Sequence, residues 1–257
     1  MKPHTWDPER YLVYADERGR PYVDLLGRVP VPDPERVVDL GCGPGNLTGL
    51  LAQRWPAADV VGIDSSTEMV AAARAAQIAG VRFEVGDVQD WRAVEPVDVL
   101  LSNATLQWVP DHLALLPQLL AQVAPGGCFA FQVPGNFGAP SHVLLHELSA
   151  EPRFAPYLGV TLRPSHEPAV YHQTLLDLGC TVDGWETTYL HLLPGEDPVF
   201  GWISGTGARP VLQALPDDVR AEFEAEYKLL LREAYPPGPH GTVLPFRRIF
   251  MVAQAPA

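Results

Sequence analysis

The chain has 257 residues, of which 18 are basic and 31 acidic, so its formal net charge is −13, and 47% of its residues are hydrophobic. An acidic surface repels phosphate backbones and anionic lipid headgroups, and no basic run is longer than Arg247-Arg248. These numbers argue against nucleic acid and membranes as partners. The hydrophobic share is enough for a large core and excludes a disordered chain.

The termini and the cysteines exclude further classes of protein. The first ten residues, MKPHTWDPER, lack the apolar segment of a signal peptide, and no apolar run reaches the roughly 18 residues that span a bilayer. We therefore expect a cytoplasmic protein that is a monomer or a weak oligomer. The three cysteines, Cys42, Cys128 and Cys180, are widely spaced, which favours buried thiols over a disulfide framework or a metal site.

Short β-branched runs alternate with longer helical patterns in the first half of the chain. The pattern predicts strands over 36–40, 59–63, 81–85, 97–102 and 128–133 and helices over 47–54, 66–79 and 111–123. Strands that alternate with helices in this way indicate a parallel sheet covered on both faces.

The second half of the chain is less regular. It predicts a short amphipathic stretch over 141–149, a helix over 168–178, a strand over 182–192, helices over 198–235 with breaks at 205–210 and 216, and a closing strand over 244–254. Because no internal repeat or low-complexity linker is present, we interpret the irregular pieces as insertions in a single domain that spans 1–257.

The strongest motif is a glycine loop, Asp39-Leu40-Gly41-Cys42-Gly43-Pro44-Gly45-Asn46, placed where a predicted strand ends and a helix begins. The dinucleotide fingerprint needs glycine at the position that Asn46 occupies. The carboxylate of Asp39, two residues before Gly41, suits a ligand with an ammonium or sulfonium group better than a pyrophosphate. An open α/β sheet binds its ligand at this kind of strand end.

This loop resembles the first motif of the class I S-adenosylmethionine (SAM) methyltransferases. The resemblance implies an α/β fold with a doubly wound, mostly parallel seven-stranded Rossmann-like sheet, an antiparallel last strand and helical insertions that cap the active site. It also implies S-adenosyl-L-methionine as cofactor. The alternative is a flavodoxin-like or NAD-binding domain that shares only one glycine loop.

The same resemblance assigns cofactor contacts along the chain. Asp64, 19 positions after Gly45, would take the ribose hydroxyls, Asp87 the adenine amine, and Ser102-Asn103-Ala104 would lie under the sulfur. Asp after a strand is also a common helix cap, and Met69 could equally be core packing. The full set implied is Tyr11, Arg20, Asp39, Gly41, Cys42, Gly43, Asn46, Asp64, Ser65, Met69, Asp87, Val88, Asn103 and Ala104.

Regions outside these motifs resemble a narrower family, the trans-aconitate 2-methyltransferases. The residues that carry this resemblance include Trp6-Asp7-Pro8, the run from Ser102 to His112, Pro140-Ser141-His142, Trp185-Glu186-Thr187 and Pro245-Phe246-Arg247-Arg248. The resemblance implies transfer of a methyl group from SAM to a carboxylate oxygen of trans-aconitate or a close small polycarboxylate. It also implies an N-terminal lid over 1–34, a SAM-binding core over 35–133 and substrate-side insertions over 134–167 and 193–243.

A carboxylate is already deprotonated at neutral pH, so its methylation needs positioning and no general base. Arginine is the side chain best suited to bind such a substrate. We expect substrate positioning by Arg209, Arg247, Arg248, His142, Trp108 and Gln107, and further cations from the first insertion, Arg153 and Arg163. For any one arginine the alternative is a surface ion pair.

No metal is expected in this protein. His142 and His146 are four residues apart beside Glu147, but the sequence contains no HExxH motif and no evident third ligand.

Two other functions remain open at this point. One is SAM-dependent methylation of a different small metabolite at oxygen, nitrogen or carbon, with a base such as His142. The other is a cofactor-binding regulatory protein without catalysis.

Overall fold

A seven-stranded sheet organises the protein, whose computed structural model describes residues 15–158 and 165–257. The strands are β1 (Arg36–Leu40), β2 (Asp59–Asp64), β3 (Val81–Val85), β4 (Val97–Asn103), β5 (Val123–Pro134), β6 (Thr181–Leu193) and β7 (Thr242–Gln254). The described α-helices are α1 (Ala15–Gly27), α2 (Gly49–Arg54), α3 (Thr67–Ala75), α4 (His112–Leu120), α5 (Pro140–Ser149), α6 (Pro168–Asp177), α7 (Pro198–Ser204), α8 (Arg209–Ala214) and α9 (Asp217–Ala234).

The strand order in the sheet is β3-β2-β1-β4-β5-β7-β6. Strands β1 to β5 pair in parallel, whereas β7 runs antiparallel to β5. This arrangement confirms the predicted fold class. The carboxyl ends of β1, β2 and β4 therefore meet at one edge, which is where ligands of open α/β sheets bind.

The chain divides into two compact units. The first contains residues up to 134, 165–186 and 248–257, and the second contains 135–164 and 187–247. The first unit holds the cofactor motifs of the sequence, and the second holds most of the two predicted insertions. The interpretation of 1–257 as one domain, with its lid and core boundaries, stays a prediction.

Apolar residues of three strands form the core of the first unit. On one face of the sheet, Leu40, Leu100 and Phe131 are fully buried with Leu116 of α4 and Tyr171 of α6. Central strands of a parallel sheet are covered on both faces, which explains their nearly continuous apolar sequences.

Helix α9 forms part of the core of the second unit. Its side chains Phe223 and Tyr227 are fully buried, and the Tyr227 hydroxyl donates to the carbonyl of Ser141 at 2.5 Å. This helix lies within the helical region 198–235 that the sequence predicts, and its buried side chains are spaced as on one face of an amphipathic helix.

Several element boundaries differ from the sequence prediction. Helix α3 ends at Ala75 because Gln77 adopts a left-handed backbone, with φ of 49°. Strand β5 begins at Val123, where it pairs with Val97 ahead of an irregularity in the ladder. It therefore takes Val123, which the sequence placed at the end of a helix, and residues 124–127, which were assigned to no element. Helix α1 was not predicted at all, since Pro21 in its interior is unfavourable for a helix.

Helix α1 covers the sheet face opposite α4 and α6, where it packs against β5. Its Tyr22 hydroxyl donates to Oδ2 of Asp39 at 3.1 Å, and the Thr48 hydroxyl donates to the same oxygen at 2.7 Å. Burial raises the pKa of Asp39 to about 6, although these two hydrogen bonds lower it in part. Asp39 therefore links α1, β1 and the start of α2.

Among the described residues, no helix combines the length and the apolar character required to cross a bilayer.

The pKa of Asp39 predicts a pH-dependent stability. Its folded-state pKa of about 6 lies above the unfolded value near 4, so between these values the folded state binds more protons, and its stability falls as pH rises. Asp39→Asn removes this titration. The free energy of unfolding of the wild type relative to the variant should fall by up to about 3 kcal/mol between pH 4 and pH 7.

Denaturant unfolding of both proteins at pH 4, 5, 6 and 7 measures this difference. A difference that is constant or grows with pH would contradict the assignment.

Candidate active site

A cleft lies at the carboxyl ends of β1, β2 and β4, within the first unit. Its empty space, including the part open to solvent, is about 790 Å³. Of the residues to which the sequence assigned cofactor contacts, those that line the cleft are Gly41, Gly43, Asp64, Ser65, Met69, Asp87, Val88, Asn103 and Ala104.

The glycine loop forms the floor of this cleft. The Gly41 amide donates to the carbonyl of Ile63 at 2.7 Å, so the loop is held against the end of β2. Gly41 has φ of 85°, and a Cβ built on it would lie 2.0 Å from Oγ1 of Thr105. Only glycine satisfies both constraints.

Asp64 at the end of β2 joins two parts of the cleft wall. Its Oδ2 accepts from the Gly43 amide and its Oδ1 from the Ser66 amide, both at 2.9 Å. Burial raises the pKa of Asp64, and these two backbone donors oppose that rise. Each carboxylate oxygen has further acceptor capacity, which ligand hydroxyls could use.

The wall beyond Asp64 combines apolar and polar side chains. Met69 and Val88 are buried, and the Ser66 hydroxyl caps α3 by accepting from the Met69 amide at 3.2 Å. Asp87 is exposed, and its Oδ1 accepts from the Gln89 amide at 2.9 Å. A flat heterocycle with an exocyclic amine suits such a wall.

The opposite wall follows β4 and contains a strained residue. Ala104 has φ of 53°, which is uncommon for a residue with a Cβ. Its amide donates to the carbonyl of Gln132 at 2.9 Å, and its carbonyl accepts from Nε2 of Gln107 at 2.5 Å. These two contacts hold Ala104 in place, and Trp108 in the 3-10 turn Leu106–Trp108 completes the wall.

Three residues that neighbour this strained residue or form hydrogen bonds with it have buried side-chain amide atoms. Oδ1 of Asn103, Oε1 of Gln107 and both amide atoms of Gln132 are buried, and none has a hydrogen-bond partner in residues 15–158 and 165–257. An unsatisfied buried polar group costs about 1–3 kcal/mol of folding free energy.

The remaining predicted cofactor residues lie elsewhere or outside the described chain. The Asp39 carboxylate is buried beneath the loop with Tyr22 and Thr48. Cys42 is also buried, and burial raises the pKa of its thiol. Asn46 and Arg20 are exposed and do not line the cleft. Tyr11 lies outside the described residues.

The predicted substrate residues are divided between the two units. In the first, Gln107 holds Ala104, Trp108 lines the cleft and Arg248 is 7% exposed on β7. In the second, Arg209 begins α8, and Nη1 of Arg247 donates to the carbonyl of Gly135 at 3.2 Å.

His142 is a buried, neutral side chain of the second unit. Its Nδ1 lies 3.2 Å from Oγ of Ser141 and 3.3 Å from Nδ2 of Asn136. Burial, with a smaller effect of His146, lowers the pKa of His142 to about 4. The imidazole is therefore uncharged at neutral pH.

Arg153 takes part in a surface ion-pair network. Its guanidinium lies 2.5–2.8 Å from the carboxylates of Glu151, Glu222 and Glu226. This is the alternative that the sequence left open for each arginine. Arg163 lies outside the described residues.

Four cleft-lining residues were missed by the sequence analysis: Pro44, Gln89, Thr105 and Val109. Each lies within two residues of an assigned position, so the sequence motifs could have been used to assign these residues to the cleft as well.

In the part of the chain that the structure describes, no group of three or more His, Cys, Asp or Glu side chains could hold a metal ion.

Comparison with known proteins extends these observations. Residues 37–127 match a family described as a methyltransferase domain. The trans-aconitate 2-methyltransferase of Streptomyces avermitilis is 53% identical to this chain over 263 aligned positions, covering 98% of each protein. Its counterpart in Mycolicibacterium gilvum is also 53% identical, over 97% of this chain and 98% of the relative. A putative methyltransferase from Bacillus halodurans has a similar fold, with a TM-score of 0.57, 14% identity and coverage of 91% and 98%.

Proposed function

Because this chain belongs to the trans-aconitate 2-methyltransferase family, we propose that it transfers a methyl group from S-adenosylmethionine to a carboxylate oxygen of trans-aconitate or a close small polycarboxylate. The products are a monomethyl ester and S-adenosylhomocysteine. The observation that supports this most is the 53% identity over 98% of both proteins, since it extends well beyond the cofactor motifs into the second unit.

The residues of the cleft fit the cofactor. Gly43 has no atom within 4 Å of the position its Cβ would take, so its backbone leaves room for a ligand against the loop. Asp64 would accept from the ribose hydroxyls, Asp87 from the adenine amine, and Met69 would contact the ring. The buried Oδ1 of Asn103 is a further acceptor for the ammonium group of the methionine part.

Bound SAM supplies an electrophilic methyl group on a sulfonium. The task of the protein is then to orient an anionic oxygen toward that methyl group and to exclude water. No residue has to remove a proton, because the acceptor carboxylate is ionised at neutral pH. The neutral His142 fits this chemistry, since it can donate a hydrogen bond without taking up a proton.

The cationic side chains would neutralise the charge of the acid. We assign substrate binding to Arg209 and to one of Arg247 and Arg248, since adjacent residues of a strand point to opposite faces. A guanidinium group donates to a carboxylate in a planar fork. Local placement of these arginines matters more than the overall charge of −13, which only slows the encounter with an anion.

The assay that tests this function uses labelled SAM with trans-aconitate, cis-aconitate, citrate and isocitrate. We expect a base-labile methyl ester from trans-aconitate or one of the other acids. Between pH 6 and pH 8, kcat/KM expressed per fully ionised acid should lack an acidic limb, because the pKa of His142 is about 4 and no residue has to remove a proton.

Absence of an ester from all four acids would contradict the proposal. A bell-shaped profile with an apparent pKa of 6–7 that remains after correction for ionisation of the acid would favour methylation of a different metabolite through a base.

Arg209→Gln tests the substrate assignment. Loss of a charge-assisted hydrogen bond to a carboxylate should raise the Michaelis constant for the acid by about 10- to 100-fold and leave that for SAM unchanged. Arg153→Gln is the matched control, because it removes the same charge from the same unit, at a guanidinium already bound by three glutamates. Steady-state kinetics with each substrate varied separates the two, and equal constants for Arg209→Gln and wild type would refute the assignment.

A further inference from the structure

Gln132 is the one amide in a fully buried stretch at the carboxyl end of β5. Its neighbours Cys128, Phe129, Ala130, Phe131 and Val133 are all 0% exposed, as is Gln132 itself. Both Oε1 and Nε2 of Gln132 are buried without a hydrogen-bond partner in the described chain. The sequence analysis gave this residue no role.

The position of Gln132 in the sheet places it beside the cleft. Its Cα is paired in register with that of Asn103, and Asn103 lines the cleft. Paired residues of neighbouring parallel strands lie about 4.8 Å apart and point to the same face. Gln132 itself does not line the cleft, but an extended glutamine side chain spans a distance comparable to the strand spacing, so its amide lies within one strand spacing of a residue that does.

Three residues with amide side chains are neighbours or hydrogen-bond partners of the strained Ala104. The backbone carbonyl of Gln132 accepts from the Ala104 amide, and Gln107 donates to the Ala104 carbonyl. Asn103 precedes Ala104, and the side-chain oxygens of Asn103 and Gln107 are, like Gln132, buried without a partner in the described residues. Unpaired amide atoms thus occur on three residues tied by sequence or hydrogen bonds to Ala104, which lines the cleft.

Stability does not explain this arrangement. An apolar side chain of similar size would fill the site of Gln132 as well as its five neighbours fill theirs, whereas an unpaired buried amide destabilises the fold. Local departures from good packing rules occur at functional sites. A bound ligand would supply the partner that this amide lacks among the described residues.

We propose that Gln132 binds the substrate, by donating from Nε2 to an oxygen of the carboxylate that is methylated. This inference rests on the proposed function. A neutral donor suits the position, because a lysine or arginine there would repel the nearby sulfonium and would withdraw more electron density from the attacking oxygen. The amide orients the carboxylate, and the arginines balance its charge.

Gln132→Met is the test variant, since it keeps the size of the side chain and removes its polar atoms. The matched control is Gln122→Met. Its amide oxygen accepts from the Ala93 amide at 3.0 Å and its nitrogen donates to the Gln118 carbonyl at 3.2 Å, and it does not line the cleft. The measurements are kcat and KM for the acid, the dissociation constant of SAM from calorimetry, and Tm.

For Gln132→Met we expect kcat/KM for the acid to fall about 10- to 100-fold, with SAM affinity within threefold of wild type and Tm equal or higher. Gln122→Met should show the reverse, a lower Tm and unchanged kinetics, because this variant loses the two hydrogen bonds that Gln122 forms within the protein. If Gln132→Met keeps the wild-type kcat/KM, the inference is overturned while the proposed function stands. If the wild type itself forms no ester from any of the acids, the proposed function fails and the inference with it.

Gln132→Glu gives a second readout that packing alone would not produce. Its carboxylate repels the acid when ionised and donates a hydrogen bond when protonated. The activity of Gln132→Glu relative to wild type should therefore rise as pH is lowered from 8 to 6. A ratio that does not change with pH, or that falls, would contradict a contact with the carboxylate.

Discussion

The cleft depends on one close approach of the backbone, at Gly41. Its amide is bound to the carbonyl of Ile63, and its Cα lies so near to Thr105 that a Cβ would be 2.0 Å from the threonine hydroxyl. This approach brings together the ends of β1 and β2 and the segment that follows β4. As a consequence, the next glycine of the loop, Gly43, reaches the Asp64 carboxylate, and the floor and the first wall of the cleft form one hydrogen-bonded unit.

The sequence predicted the parts of the site that depend on local pattern. Strands could be identified from short β-branched runs, and the residues directly after them, such as Asp64 and Asn103, had to converge because parallel strands end at one edge. The parallel pairing of β1 to β5 follows from the same alternation, and the antiparallel last strand is the one that the class I resemblance implied. The relatives at 53% identity are named for the activity that the resemblance to the narrower family implied.

Other features depend on contacts between distant segments, which no local pattern reveals. Asp39 is paired with Tyr22 of a helix that the sequence did not predict, so its carboxylate is directed beneath the loop. Arg153 forms ion pairs with Glu222 and Glu226 of helix α9, about 70 residues away in the sequence. A role for Gln132 could not be predicted for a different reason. A single amide in an apolar strand does not indicate a function until the structure shows that its side-chain atoms have no partner in the described chain.

The most direct test of this account compares Gly41→Ala with Gly126→Ala. Both glycines have positive φ, 85° and 74°, but a Cβ at 126 meets no atom within 4 Å. In both variants the alanine must adopt a left-handed backbone conformation, which destabilises the fold by about 1–2 kcal/mol. Only Gly41→Ala also brings a Cβ into collision with Thr105. Calorimetric titration with SAM should show wild-type affinity for Gly126→Ala and at least about tenfold weaker binding for Gly41→Ala. Equal, wild-type affinity in both variants would contradict the central role of this contact.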